Sequence, residues 1–164
     1  MQFPPTPVRS TLHSPWGPMT LAAHDTALVW VGFDGQKHEV DTHAWRLDPG
    51  HPVLRQTAEQ LQQYFAGERH DFDMALDLSC GTPFQQRVWR ALLAIGHGQT
   101  CSYGAVSLAL GQASAVRAVG GAVGRNPISI IVPCHRVLGA KGSLTGYAGG
   151  LERKIALLEL ESRP

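Results

Sequence analysis

Cysteine is scarce in this chain of 164 residues, which contains only Cys80, Cys101 and Cys134. Their number is odd, they lie far apart, and no two of them form a C-x-x-C pair. This pattern argues against a disulfide framework and against a tetrahedral zinc site. We therefore expect no metal ion, and a reducing cytoplasm suits such a chain.

Long hydrophobic runs are also missing. No segment approaches the roughly 18 consecutive apolar residues of a membrane span, and residues 1–5 lack the basic-then-apolar order of a signal peptide. Hydrophobic residues make up 43% of the chain and charged residues 16%, as in folded rather than disordered proteins. We expect a globular cytoplasmic protein of one ordinary or two small domains, with no membrane partner.

The net charge is only +1, but the charges are unevenly distributed. Residues 1–82 contain five Lys or Arg and ten Asp or Glu, whereas residues 83–164 contain nine and three. A balance of −5 against +6 indicates that the second half meets a polyanion and the first does not, unless the asymmetry of so short a chain is accidental. Composition shifts at the same place, so we predict two domains, residues 1–79 and 80–164.

The first half has an α/β pattern. β-branched and alternating residues predict strands at 28–33 and 72–78. Residues 14–17 form a turn signal between two further antiparallel strands, 53–65 reads as a helix, and 34–51 as a loop.

The second half has a helical pattern. Thr82 and Gln85 form a capping box with a proline at the first helical position. Behind it, apolar side chains share one helical face: Phe84, Val88, Ala91, Leu92 and Ile95. Two short helices at 102–110 and 114–123, joined by a turn containing Gly111, predict a helix-turn-helix.

The second of these two helices has an unusually smooth surface. Arg117 is its one long side chain, among the small residues Ala115, Val116, Ala118, Val119, Gly120, Gly121 and Ala122. Recognition helices of the major groove carry long polar side chains. A smooth helix can closely approach a narrow groove or another backbone. It can also be buried among neighbouring elements, but burial does not account for Arg117.

A single cysteine is the candidate nucleophile. The β-branched run 130–132 followed by Pro133 predicts a buried extended segment that stops abruptly. Cys134 then lies at the end of a strand beside His135 and Arg136, both of which can lower the pKa of a thiol. By themselves, residues 130–137 favour a nucleophile and an ordinary buried thiol equally.

Together these segments resemble the O6-alkylguanine-DNA alkyltransferases, also called methylated-DNA–protein-cysteine methyltransferases. The resemblance is carried by residues 117–121 (RAVGG), 126–127 (NP) and 133–137 (PCHRV), with further matches at 84–89 (FQQRVW), 103–104 (YG) and 144–150 (LTGYAGG). It covers the second half closely and the first half only in its general pattern of strands and helix.

The resemblance implies a two-domain α/β (α+β) fold, with an N-terminal ribonuclease-H-like domain and a C-terminal helical domain carrying a winged helix-turn-helix. It implies that the helix-turn-helix binds the minor groove of double-stranded DNA and that O6-methylguanine flips out and loses its methyl group to Cys134. Each molecule then acts once, without a cofactor. Whether O4-methylthymine or larger alkyl groups also react, and whether a monomer binds DNA cooperatively, stays open.

The resemblance also implies catalytic roles. Glu161, His135 and a water form a proton relay to Cys134, Asn126 is a hinge, and Tyr103 assists base flipping and donates to the base. A water is needed because neighbouring residues of an extended segment point to opposite faces, which separates His135 from the sulfur.

Other residues acquire binding roles by the same resemblance. Arg117 is the arginine that fills the stack when the nucleotide leaves it. The DNA-binding surface comprises Tyr103 and the small residues Ala115, Val116, Ala118, Gly120 and Gly121. The alkylguanine pocket comprises Pro133, Val137, Tyr147 and Ala148, where Ala148 replaces the serine of some members.

Two other classes of protein compete with this interpretation. Non-catalytic alkyl-DNA binding proteins are similar but lack the reactive cysteine, so Cys134 argues against them. A cysteine hydrolase would account for Cys134 and His135, but not for the smooth helix, Arg117 or the charge asymmetry.

Overall fold

The computed structural model describes residues 1–163. The first half contains β1 (Val8–Ser14), β2 (Gly17–His24), β3 (Ala27–Phe33), β4 (Arg46–Leu47) and α1 (Pro52–Phe65). The second half contains α2 (Pro83–Leu92), β5 (Cys101–Ser102), α3 (Tyr103–Ala109), α4 (Val116–Val123), β6 (Val137–Leu138) and α5 (Leu151–Glu161), with short 3₁₀ turns at Cys134–Arg136 and Ala140–Gly142. Among residues 1–163, no helix combines the length and apolarity needed to cross a membrane.

The first half is built around a four-stranded sheet of order β3-β2-β1-β4. β1 and β2 form an antiparallel hairpin in which Ser14 pairs with Gly17, so the predicted turn is confirmed. Gly17 closes that turn at a φ of +112°, a conformation that side chains rarely adopt. The predicted strand at 28–33 and helix at 53–65 are also confirmed, and α1 covers one face of the sheet.

The strand predicted at 72–78 is wrong. This segment meets β3 at one bridge, where the Leu28 N–H donates to the Ala75 carbonyl and Leu28 in turn accepts from the Asp77 N–H, both at 2.9 Å. Further along β3, Val31 pairs instead with Ile128 of the second half. Since the outer edge of β3 is shared between two segments, residues 72–78 cannot extend into a strand, and the two halves of the chain are joined backbone to backbone.

The helical half begins and packs largely as its sequence predicts. Thr82 and Gln85 form the reciprocal capping box of α2, which ends at Leu92, before Ile95. The indole of Trp89 is buried and donates to the Ala122 carbonyl at 2.8 Å, which holds α4 against α2. The helix-turn-helix of α3 and α4 is confirmed, although α4 begins two residues later than predicted, at Val116.

The extended segment predicted before Pro133 is also wrong. Ile130 has a φ of +73°, and the Val132 N–H donates to the Ile128 carbonyl at 3.0 Å, so residues 128–132 form a compact turn. Asn126 stabilises it, because its side chain accepts from the Ile128 N–H at 3.0 Å and donates to the Val132 carbonyl at 2.8 Å. The β-branched residues are buried as expected, but a positive φ at isoleucine costs about 1–3 kcal/mol, which this packing must offset.

Candidate active site

Cys134 begins a 3₁₀ turn immediately after this compact segment, and it is only 3% exposed. Asn126 Nδ2 donates to its Sγ at 3.0 Å. Burial raises the pKa of the thiol to about 11, against the opposing effects of the Asn126 hydrogen bond and the positive charge of Lys154. At neutral pH the thiol therefore keeps its proton until a base removes it.

The side chains expected to lower this pKa point elsewhere. His135 Nε2 lies 2.8 Å from Glu161 Oε1, and Arg136 donates to both carboxylate oxygens, from Nη2 at 2.8 Å and from Nε at 2.9 Å. The predicted contact between His135 and Glu161 is therefore present, and neither His135 nor Arg136 directs its side chain at the sulfur. A 3₁₀ turn, rather than a strand, directs them toward α5.

Glu161 is the centre of a buried hydrogen-bond cluster. Besides His135 and Arg136, it accepts from the Tyr64 hydroxyl at 2.6 Å and from the Gly98 N–H at 3.2 Å. Burial alone would raise the pKa of the carboxyl, but the hydrogen bonds from His135, Arg136 and Tyr64 outweigh burial and hold that pKa well below its usual range. Glu161 is therefore an anion.

The anionic partner defines the protonation of His135. Since a carboxylate only accepts, Nε2 of His135 must carry the hydrogen, and Nδ1 then presents a lone pair. Nδ1 is buried and has no hydrogen-bond partner within residues 1–163. Burial lowers the pKa of His135 even though His135 donates a hydrogen bond to Glu161, so the imidazole is neutral and able to accept a proton.

A buried lysine lies near enough to Cys134 for its charge to lower the pKa of the thiol. Lys154 Nζ donates to the carbonyls of Val137 at 2.6 Å and Thr145 at 2.9 Å. Burial lowers its pKa, and the thiolate charge of Cys134 acts in the opposite direction. Helix α5 thus contributes both Glu161 and Lys154 from its buried face.

A cavity of about 550 Å³ lies between α4 and the segment 146–151. The predicted site residues Tyr103, Gly120, Gly121, Tyr147 and Ala148 line it together. The Tyr103 hydroxyl donates to the carbonyls of Thr145 and Gly146 at 3.2 Å each. Burial raises the pKa values of Tyr103 and Tyr147, and the negative charge of a Cys134 thiolate would raise both further.

Two predicted pocket residues lie apart from this cavity wall. Pro133 lines a different cavity of about 460 Å³, together with Ile131, Arg136 and residues of the segment 70–78. Val137 is fully buried, and its carbonyl binds Lys154. The structure thus brings the two tyrosines and Ala148 to the cavity, whereas Pro133 and Val137 support the site from outside its lining.

The smooth helix α4 has one buried and one exposed face. Val119, Ala122 and Val123 are buried, whereas Val116, Arg117, Ala118 and Gly121 are exposed and Ala115 and Gly120 are half-buried. Full burial of the helix is thereby excluded. The Tyr103 ring lies against Gly120, where a Cβ atom would be 3.9 Å from the ring, so the exposed face of α4 borders the cavity directly.

Sequence reasoning missed two parts of this site. Tyr64 comes from α1 of the first half and no local pattern distinguishes it, because its role depends on a contact with a residue 97 positions away. Lys154 did leave a signal, as a charged residue on the buried face of α5, but the sequence alone assigned it no partner. Among residues 1–163, no cluster of three His, Cys, Asp or Glu side chains is arranged to hold a metal ion.

A mixed sheet joined to a helix-turn-helix, with one buried thiol beside a cavity, defines a two-domain protein with a candidate nucleophile near a nucleic-acid-binding surface. Residues 8–78 match the model of the ribonuclease-like domain of 6-O-methylguanine DNA methyltransferases, and residues 83–163 match that of their DNA binding domain.

Relatives and solved structures agree with these matches. A Mycobacterium tuberculosis methylated-DNA–protein-cysteine methyltransferase is 54% identical over 151 residues, covering 92% of this chain and 90% of the relative. One from Methanosarcina acetivorans is 46% identical over 149 residues, covering 90% and 94%. The crystal structure of Mycobacterium tuberculosis OGT in complex with DNA superimposes with a TM-score of 0.86 at 53% identity, covering 93% and 91%. The chain belongs to the methylated-DNA–protein-cysteine methyltransferase family.

Proposed function

We propose that Cys134 accepts the alkyl group of O6-alkylguanine directly from duplex DNA. As a member of its family, the chain is a methylated-DNA–protein-cysteine S-methyltransferase that repairs DNA by direct reversal. The observations that carry the assignment of Cys134 are the Asn126 amide that donates to its buried Sγ at 3.0 Å and the buried pair of Glu161 with His135, the next residue in the chain. A thiol that merely fills the core needs neither.

The first chemical step is removal of the thiol proton. Nδ1 of His135 takes the proton of Cys134 through a water molecule, because the two side chains make no direct hydrogen bond within residues 1–163. Glu161 stabilises the resulting imidazolium through its bond to Nε2. Asn126 and Lys154 stabilise the thiolate, since both lower the thiol pKa.

The second step is displacement at the alkyl carbon. A sulfur–carbon bond forms, the bond from that carbon to O6 breaks, and its electron pair goes to guanine. Tyr103 lies at the cavity with its hydroxyl bound only to two carbonyls, so it can turn to donate a hydrogen bond to the departing base. The guanine anion then takes up a proton from water, and the neutral base returns to the duplex.

The exposed face of α4 is the DNA-binding surface. Its small side chains permit entry into a minor groove about 6 Å wide, and Arg117 occupies the place in the stack that the nucleotide leaves. One chain acts on one lesion as a monomer. We place the domain boundary between residues 79 and 80, in the interval between the two matched domains.

The experiment is to measure intact mass after incubation with duplex DNA containing O6-methylguanine. We expect a gain of one methyl group on Cys134, with product reaching a plateau at one equivalent per active molecule. Cys134→Ser should abolish transfer and retain binding, while the matched variants Cys80→Ser and Cys101→Ser should still react. Methyl transfer by Cys134→Ser would refute the assignment, and a plateau well above one equivalent would refute single turnover.

A further inference from the structure

A loop of the N-terminal domain reaches the cavity of the C-terminal domain. Residues 34–39, here called the Lys37 loop, follow β3, and the Lys37 N–H donates to the Ala148 carbonyl at 2.9 Å. Lys37 and His38 line the same cavity as Tyr103, Tyr147 and Ala148. The sheet domain therefore forms part of the wall of the alkylguanine pocket.

The Lys37 loop is held in this position by its own hydrogen bonds. Gln36 is buried, and its side chain accepts from the Phe33 N–H at 2.8 Å. The Glu39 N–H donates to the Gln36 carbonyl at 3.2 Å, and the Glu39 carboxylate accepts from the Gly35 N–H at 3.0 Å. The loop is thus anchored at both ends while Lys37 and His38 remain exposed.

A third basic residue lies just beyond the C-terminal end of α4. Arg125 follows α4 and lines the same cavity, and its Nη1 would lie 3.8 Å from a Cβ atom at Gly121, on the exposed face of α4. The charges of Arg125 and Lys37 both contribute, after burial, to lowering the pKa of His38. Two elements from different domains therefore place like charges together, and such an arrangement favours an anion between them.

We propose that Lys37, with His38 and Arg125, binds the backbone phosphates of the nucleotide that enters the cavity, so that the N-terminal domain takes part directly in DNA binding. The proposal rests on the function proposed above. A base that occupies the pocket must leave its flanking phosphates at the pocket mouth, where these three side chains lie. The acidic domain, with its balance of −5 over residues 1–82, thus contributes a basic contact at this one place.

The test compares Lys37→Ala with Arg55→Ala, which removes the same charge from the exposed side of α1 in the same domain. Binding to an O6-methylguanine duplex is measured as a function of salt in the Cys134→Ser background, where no transfer interferes. Each phosphate contact contributes about 0.9 to the slope of log K against log salt. We therefore expect Lys37→Ala to lower that slope by about 0.9, and to weaken binding about 3.5-fold more at about 50 mM than at about 200 mM salt.

A second measurement separates phosphate binding from chemistry. In the background that retains Cys134, Lys37→Ala should slow single-turnover repair of subsaturating duplex by a larger factor than it slows the reaction with free O6-benzylguanine, because a free base has no phosphate. An unchanged salt slope, or a loss of DNA affinity equal to that caused by Arg55→Ala, would overturn the proposal. An equal loss on the free base would instead assign Lys37 to the base pocket and also overturn it. Absence of transfer to Cys134 would contradict the proposed function and leave the binding result standing.

Discussion

Glu161→Gln is the most informative single substitution in this structure. It preserves the shape of the side chain but removes the negative charge that accepts from Tyr64, His135, Arg136 and the Gly98 N–H. A glutamine amide has one accepting oxygen, and its NH₂ group would face donors. Arg136 would then remain as a charge without a counter-ion, with its side chain only 7% exposed.

The expected loss follows from this burial. Removing one partner of a buried ion pair costs about 3–5 kcal/mol, because the other charge stays desolvated. Folded domains have a total stability of only about 5–15 kcal/mol, so the variant should be marginal. The pKa of Glu161 is held below its usual range. The Glu161 carboxylate therefore contributes to the free energy of unfolding at pH values above the carboxyl pKa of the unfolded chain, about 4.3. This contribution is lost as the pH falls through the folded-state pKa.

The assay is urea unfolding of wild type and variant at neutral pH and again under acid conditions. Glu159→Gln is the matched control, because Glu159 is exposed on the same helix and should change stability by no more than about 0.5 kcal/mol. The difference between wild type and Glu161→Gln should shrink on acidification. A broken buried ion pair should cost several kcal/mol, so a decrease in the free energy of unfolding below about 1 kcal/mol at neutral pH would refute this explanation. A decrease that does not change with pH would refute it as well.

Three further outcomes are expected. Arg117→Ala should slow repair of duplex DNA far more than reaction with free O6-benzylguanine, since unstacking a base costs a few kcal/mol; equal losses in single-turnover rates would assign Arg117 to the fold or the chemistry. Asn126→Ala should lower the free energy of unfolding by about 1–3 kcal/mol or more, because it leaves buried backbone groups unpaired, and an unchanged urea midpoint would contradict this. Alkylated Cys134 should lower the melting temperature, since overpacking a buried site costs about 1–3 kcal/mol.

The pH dependence of the thiol provides a fourth outcome. Because burial raises the pKa of Cys134 from 9.0 to about 11, its stabilising contribution is present below the thiol pKa of the unfolded chain and is lost as the pH rises through the folded-state pKa. The stability difference between wild type and Cys134→Ser should therefore change by about 2–3 kcal/mol over this interval. If the free energies of unfolding of wild type and Cys134→Ser instead changed in parallel as the pH was raised, the thiol would not be desolvated.

Local signals in the sequence determined the parts of this protein that depend on neighbouring residues. The capping box of Thr82 and Gln85, the turn before Gly17, the helix α1 and the apolar face of α2 formed as predicted. The small side chains around Arg117 were also readable from the sequence, although the predicted smooth surface included Val119 and Ala122, which the structure buries. In each case the energetic cause acts within a few residues of the chain.

Tertiary contacts decided what those signals could not. The run before Pro133 has strong β propensity, yet Asn126 binds its backbone groups and holds Ile130 at a positive φ. The alternating segment 72–78 lost its strand because Ile128 occupies the neighbouring part of β3. Propensity is a weak preference that such contacts override.

The electrostatics of the site likewise exist only in the folded chain. Adjacency in sequence showed only that His135 and Arg136 could lower the pKa of the thiol. In the fold, Glu161, which is 26 residues from His135, binds both side chains. Tyr64 completes that cluster from the other domain. The motif around Cys134 predicted the reactive residue from its sequence, whereas the pKa of the thiol and the proton acceptor proposed for it depend on burial and on partners that only the packing of the two domains brings together.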